Sequence, residues 1–373
     1  MSKINERRER TGKQNIENKA TISDASVKKT EFPYKKILII ALAVVAVIAC
    51  ALLIVNAVIE SYAAKFRNGT SVDGAVIIDK QGPDDSEVLY NSELRAEELA
   101  KYDFLVTAFD KVNENYAVQS TNVLSKDGVY NFVISVNDDD LYAGIDENNK
   151  LATVVLVSIN NGNIKMVRMN PSSLVVIPGK SVGPLYDSYR FGNAALLAKT
   201  IQQNYGIKVN GYIDLSLDAF MTVATEISGG NGIELPGKNK DEIHVYGKDD
   251  ANALVDYIKK SDDKEAMIQK VVESVAGNLS SMKIIELKGT VKAITGMKDG
   301  MVAYISRKDF GNLINLGTKV LASGFNAEND LTTFGIEDAS AITQNAVGNY
   351  YTYSTPNDYL GAVNALQSKL GLE

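Results

Sequence analysis

The sequence predicts an α/β fold, a central mixed sheet with helices on both faces, preceded by one transmembrane helix. Three features point there: a long apolar run at residues 37–59, brief apolar runs from about residue 127, and intervening stretches with apolar residues at helical spacing. No internal repeat interrupts this order.

The first element is the membrane span. Its 23 residues are Ile, Leu, Val and Ala, interrupted only by Cys50 and Asn56. At about 1.5 Å per residue such a helix crosses a hydrocarbon core of roughly 30 Å with a little tilt. The run exceeds the roughly 7–15 residues of a cleaved signal-peptide core, although Tyr62-Ala63-Ala64 leaves cleavage as an alternative. Residues 1–36 carry ten Lys or Arg and five acids, a net of +5; the whole chain carries −7, which leaves −12 on the remainder. Positive flanks stay inside, so the N-terminus is expected in the cytoplasm and the large C-terminal portion outside the cell. Such a tail could be a nucleic-acid arm. Directly before a membrane span it reads as a topology signal attracted to anionic lipid, and no nucleic-acid partner is expected.

Residues 1–36 form the basic cytoplasmic tail, 37–59 the span, and 60–125 a membrane-proximal stalk with a small element, including a helix around residues 92–112. Strand-like apolar runs follow at 129–136, 153–159, 164–169 and 174–177. Ala194, Leu197, Ala198, Ile201 and Tyr205 share one helical face, closed by Gly206. Residues 212–215 are strand-like. Ser216 is placed to cap a helix that buries Phe220, Val223, Ala224 and Ile227. Two more amphipathic helices carry Leu254, Val255 and Ile258, then Ile268, Val271 and Val275. Ser306 and Asp309 have the spacing of a capping box, and Asn357 precedes a last helix with Leu360, Val363, Leu366 and Leu370. The extracellular domain is placed at 126–325, and 326–373 is a C-terminal extension with that final helix.

Several chemistries are excluded. The only cysteine, Cys50, lies in the span, so the exported portion is stabilised by core burial without disulfides. His244 is the only histidine, and no Gly-x-Ser-x-Gly elbow accompanies it, which argues against a nucleophilic triad; the ligands for zinc are lacking too. Residues 232–238 fit Gly-x4-Gly-Lys, but Asn239 replaces the hydroxyl ligand of magnesium and Pro236 removes a backbone N–H. The run Asn137-Asp138-Asp139-Asp140 is either a solvated turn or part of a cation site.

The order of segments resembles the LytR-CpsA-Psr family of bacterial cell-envelope proteins over roughly residues 127–325. That family opens its domain with Tyr-Asn and an apolar strand leading to an Asp, as do Tyr130-Asn131-Phe132-Val133-Ile134 and Asp138 here. Its Arg-Ser-Asp-Thr strand is similar to Lys150-Leu151-Ala152-Thr153, and its Val-x-Ile-Pro-Gly to Val175-Val176-Ile177-Pro178-Gly179. Tyr186-Asp187-Ser188-Tyr189-Arg190-Phe191-Gly192-Asn193, Thr225-Glu226-Ile227-Ser228-Gly229-Gly230 and Ala253-Leu254-Val255-Asp256-Tyr257-Ile258-Lys259 echo later landmarks.

The resemblance implies transfer of a phospho-glycan from a polyprenyl pyrophosphate carrier to peptidoglycan, with Mg2+ and an arginine cluster acting on the pyrophosphate. It also implies an apolar tunnel for the lipid. Many of the charged residues are replaced. Ala152 stands for a cation ligand, Pro171 and Ser172 for an Arg-Asp pair, and Lys259, Lys264, Met267 and Ile268 for arginines and a glutamine. Lysine keeps the charge without the bidentate fork. The substrate-binding set is therefore Lys259, Lys264, Arg190 and Arg168, with Lys150 nearby, and Asp138 is the residual metal ligand. No catalytic residue is assigned, and Ala152 puts the Mg2+ in doubt. The expectation is a single-pass cell-membrane pseudoenzyme that binds a lipid-linked glycan or polyprenyl phosphate and meets peptidoglycan; the alternative is an active phosphotransferase.

Overall fold

The computed structural model describes residues 64–78, 103–140, 150–160, 163–229, 231–237, 242–261, six helical positions between 264 and 274, then 300–313, 331–335, 340–346, 349–355 and 359–372. The expected tail and span at 1–59 lie outside these residues. No helix among the described residues is long and apolar enough to cross a membrane.

Six strands make the central sheet: β1 (Val129–Asn137), β2 (Leu151–Asn160), β3 (Asn163–Met169), β6 (Gly211–Ser216), β9 (Met301–Ile305) and β10 (Leu331–Gly335). Between them lie the short pairs β4 (Leu174–Val176) with β5 (Val182–Pro184), and β7 (Ile233–Pro236) with β8 (Ile243–Tyr246). The sheet order is β10-β3-β2-β1-β6-β9. β1, β2 and β3 form an antiparallel meander, whereas β6 joins β1 in parallel. β10 is parallel to β3, and β9 is antiparallel to β6, so the sheet is mixed. A further hairpin, β11 (Ser340–Ala346) with β12 (Asn349–Thr355), follows.

Helices accompany the strands, among them α1 (Asp103–Gln119), α2 (Leu185–Tyr205), α3 (Leu217–Ser228), α4 (Ala251–Lys259) and α5 (Tyr359–Leu370). One buried cluster joins Val133, Val154, Leu156 and Tyr212 of the sheet to α2, and includes Val112 of α1 and Val363 and Leu366 of α5. Residues of the other parity (Phe132, Ile134, Val136, Ile213 and Leu215) are equally buried but lie outside that cluster. α3 packs on β6 and β1 and against α4. Both sheet faces are thus covered, which is why β1 and β2 are near-continuous apolar runs rather than alternating ones. Each fully buried Leu or Phe contributes about 1.5–3 kcal/mol.

The caps follow the residues that announced them. Ser216 Oγ accepts the Ala219 N–H at 3.1 Å, and Gly206 closes α2 at φ 58°, its N–H donating to the Gln202 carbonyl. Ser306 Oγ accepts the Asp309 N–H at 3.1 Å and lies 2.7 Å from Asp309 Oδ2. Two boundaries differ from the sequence reading. The helix placed around 92–112 is found at Asp103–Gln119 in the described residues. α2 begins nine residues before Ala194 and is broken inside, because Gly192 (φ −153°) and Asn193 (φ 56°) leave helical geometry. Segments 185–191 and 194–205 are therefore two helices meeting at an angle.

Residues 64–78 are bound to this body. Phe66 accepts the Ile305 N–H at 2.7 Å, and Gly69 donates to Ala303 at 2.9 Å. The Asn68 side chain continues the pattern, donating to Met301 at 3.0 Å and accepting from Ala303 at 2.8 Å. The outer edge of β9 is thereby closed. Phe66, Val72 and Ala75 are buried.

Candidate functional site

β1 and β6 run in parallel, so their C-terminal ends finish side by side. Val133 pairs with Tyr212, Ser135 with Asp214, and Asn137 with Ser216. Side chains two apart on a strand share a face, so along both strands that face changes from apolar to polar towards the edge. Asp214 is the charged member. Ser135 Oγ donates to its Oδ1 at 2.6 Å and Asn137 Nδ2 donates to the same oxygen at 3.0 Å. Tyr189 of α2 donates its hydroxyl to Oδ2 at 2.9 Å.

Burial pushes the Asp214 carboxyl above its usual range, opposed by those three donors. Burial, and then the neighbouring Asp214 charge, pushes the Tyr189 phenol far above its usual value. Tyr212 is pushed up to about 12, mainly by burial. Both phenols therefore remain protonated donors at neutral pH.

A cavity of about 450 Å³ opens over this edge. Asp214, Asn137, Tyr189 and Tyr212 contribute to its wall, the α2 break at Gly192 and Asn193 forms one side, and residues 68–70 form another. No Lys or Arg lines it among the described residues. Its wall mixes a carboxylate, two phenols and an amide with Ile78, Ala194, Ala195, Met301 and Val302.

One residue beyond Asn137, a charged pair sits at the same edge. Lys259 Nζ, at the end of α4, is 2.7 Å from Asp138 Oδ2; the carboxylate is 9% exposed and the lysine 31%. Asp138 Oδ1 accepts the Asp140 N–H at 2.9 Å. Burial works against the Lys259 charge, but the Asp138 hydrogen bond and the charges of Asp138, Asp218 and Asp140 outweigh it and raise the Lys259 pKa above its usual value. Lys150 pairs with the exposed Asp139 at 2.7 Å.

No family model matches the chain. No curated protein matches it either. Among solved structures, it is similar to TagV of B. subtilis at 15% identity and TM-score 0.48, over 66% of this chain and 99% of that one. It is similar to TagT bound to LIIa-WTA at 16% identity and TM-score 0.45, over 68% and 96% respectively. A transcriptional regulator from Enterococcus faecalis overlaps at 17% identity and TM-score 0.45, over 66% and 88%. All three overlaps are loose.

The residues singled out in the sequence are distributed unevenly. Asp138 and Lys259 are in contact. Lys264 donates to its local Ser261 carbonyl at 3.1 Å. Arg190 is buried in α2, 3.4 Å from Asp187, with its guanidinium over the Phe191 ring at 4.7 Å. Arg168 lies near the end of β3, opposite Val155, and its side chain is outside the described residues.

Magnesium at Asp138 would have to compete for both carboxylate oxygens. The ion demands octahedral oxygen ligands at about 2.0–2.1 Å, yet one Asp138 oxygen already takes a backbone N–H and the other an ammonium. Ala152, where the resemblance places a second carboxylate, sits beside the register slip between Val136 and Asn137. No group of three metal-type side chains occurs among the described residues.

Sequence reading missed Asp214 and Ser135, and named Asn137 only within the acidic run and Tyr189 only within a motif. One signal was available: an aspartate inside the strand Tyr212-Ile213-Asp214-Leu215, where a charge is costly unless partners are built around it.

Proposed function

We propose that the chain is a membrane-anchored extracellular protein of cell-envelope and cell-wall glycopolymer assembly. It holds the headgroup of a polyprenyl phosphate- or pyrophosphate-linked glycan beside peptidoglycan and transfers that glycan weakly or not at all. The order of motifs that resembles the LytR-CpsA-Psr family supports the ligand class. The Lys259–Asp138 ion pair carries the rest.

Lys259 can offer its ammonium to an anionic link only by sharing it with Asp138, and Asp140 and Asp218 also bear on it, so the hold it gives is weak. Cleaving a pyrophosphate demands more: forked guanidinium groups and a metal held against the developing charge. Each missing donor of that kind costs about 3–4 kcal/mol in the transition state. With Asp138 already engaged and Ala152 beside it, the edge is suited to retention of the ligand. The polyprenyl tail is left to the bilayer.

The test uses the full chain in lipid nanodiscs. Polyprenyl phosphate should bind more tightly than the uncharged polyprenol, equally well with Mg2+ or EDTA, and Lys259→Ala should abolish the difference. Lipid-linked glycan supplied with peptidoglycan and Mg2+ should give no transfer. Turnover that disappears in Asp138→Ala would make the chain a phosphotransferase instead.

A further inference from the structure

We propose that the cavity over Asp214 is a subsite for a neutral sugar residue, with Asp214 and Asn137 as its polar recognition groups. The proposal rests on the reading of the ligand as a glycan and assigns the part of it that enters the protein.

The chemistry of the wall selects among ligands. A phosphate or pyrophosphate would meet a buried carboxylate with no Lys or Arg in the lining. Such a like-charge encounter in a low-dielectric site is strongly unfavourable. A divalent cation would find one carboxylate whose two oxygens already accept three hydrogen bonds. A hydroxylated neutral molecule suits both constraints. Its hydroxyls can donate to the remaining acceptor capacity of Asp214, since a carboxylate offers about four lone-pair sites. The same hydroxyls can accept from donors across the cavity. Residues 193–195, where α2 restarts, lie across the cavity from Asp214. The rings of Tyr189 and Tyr212 give the cavity apolar wall as well as polar groups, which matches the two-sided character of a pyranose. The volume lies within the roughly 300–1,000 Å³ of small-molecule pockets.

Asn137 lines the cavity, and the next residue, Asp138, carries the Lys259 pair. Neighbouring strand residues point to opposite faces, so the cavity lies towards α2 and the Asp138–Lys259 pair towards α3 and α4, with the strand edge between them.

The full chain in nanodiscs is titrated with methyl glycosides of glucose, galactose, N-acetylglucosamine and N-acetylmannosamine, and separately with inorganic pyrophosphate and polyprenyl phosphate. At least one glycoside should bind in the millimolar range and slow amide exchange at residues 68–70 and 192–195. Asp214→Asn and Asn137→Ala should each weaken it about tenfold, the size of one lost charge-assisted hydrogen bond, while polyprenyl phosphate binding stays unchanged. The exchange measurement is made on the native chain and decides the matter even if a variant fails to fold. No glycoside binding, protection elsewhere, or pyrophosphate competing for the cavity overturns the subsite. Polyprenyl phosphate binding without glycoside binding removes this inference alone, and glycoside binding without polyprenyl phosphate binding removes the reading of the Lys259 edge alone.

Discussion

Lys259, the last residue of α4, places its ammonium 2.7 Å from Asp138 Oδ2, just beyond the end of β1. Two elements far apart in the chain thus meet through one pair. Removing the lysine leaves a mostly buried carboxylate facing its former partner. Lys259→Met is expected to cost about 1–2 kcal/mol, between a surface and a buried ion pair, measured by chemical denaturation. The pH dependence has a definite sign. The folded Lys259 pKa is raised, so its contribution is complete below the unfolded value of about 10.4 and is lost as pH rises through the folded value. Wild type should lose more stability than Lys259→Met above about pH 10.4; parallel curves would contradict this.

Asp214 behaves in the opposite chemical sense but with the same linkage sign. Its folded pKa is raised by burial, so the folded state binds the proton more tightly than the unfolded chain does. The associated stability is complete below about pH 3.9 and is lost as pH rises through the folded pKa. Asp214→Asn should flatten the stability profile between acid and neutral pH, as followed by denaturation at a series of pH values. An unchanged slope would mean that the carboxyl titrates normally.

Gly192 is required by close approach. A Cβ there would run into Leu196 and lie 2.8 Å from the Val76 carbonyl oxygen. Gly192→Ala should destabilise by about 1–3 kcal/mol, the usual cost of overpacking. A neutral result in a denaturation experiment would show that the α2 break tolerates a side chain.

Asn68 acts as a piece of strand. Its amide makes two hydrogen bonds to β9, with Met301 and Ala303. Asn68→Ala should cost about 1–3 kcal/mol, since it strands both backbone partners, and should speed amide exchange at Ala303 while leaving Val133 unaffected.

The sequence made the body of this fold readable where local physics decides it. β1 and β2 are apolar runs because both of their faces are buried, and Ser216 and Gly206 announced α3 and the end of α2. The first part of α2 was hidden, because its Tyr, Asp, Ser and Arg residues are held by tertiary contacts rather than by an apolar face. β10 to β12 are rich in Thr, Asn, Gly and Tyr and lack a contiguous apolar run. At the edge, Asp138 and Lys259 were legible as charges in a resembling order, and only the folded chain brings them into contact. Asp214 needed the β1–β6 register, which lines up Ser135 and Asn137 beside it; a parallel pairing across some 80 residues leaves no local trace.

On the proposed anchoring by a span that ends at residue 59, the hydrogen bonds of residues 66–69 to β9 set the reach of the molecule. Seven backbone steps lead to Phe66, whose carbonyl accepts from Ile305, and they cover at most roughly 25 Å. A leash that short would tether the sheet by its Ile305–Gly211 end, the end opposite the Ser216 edge.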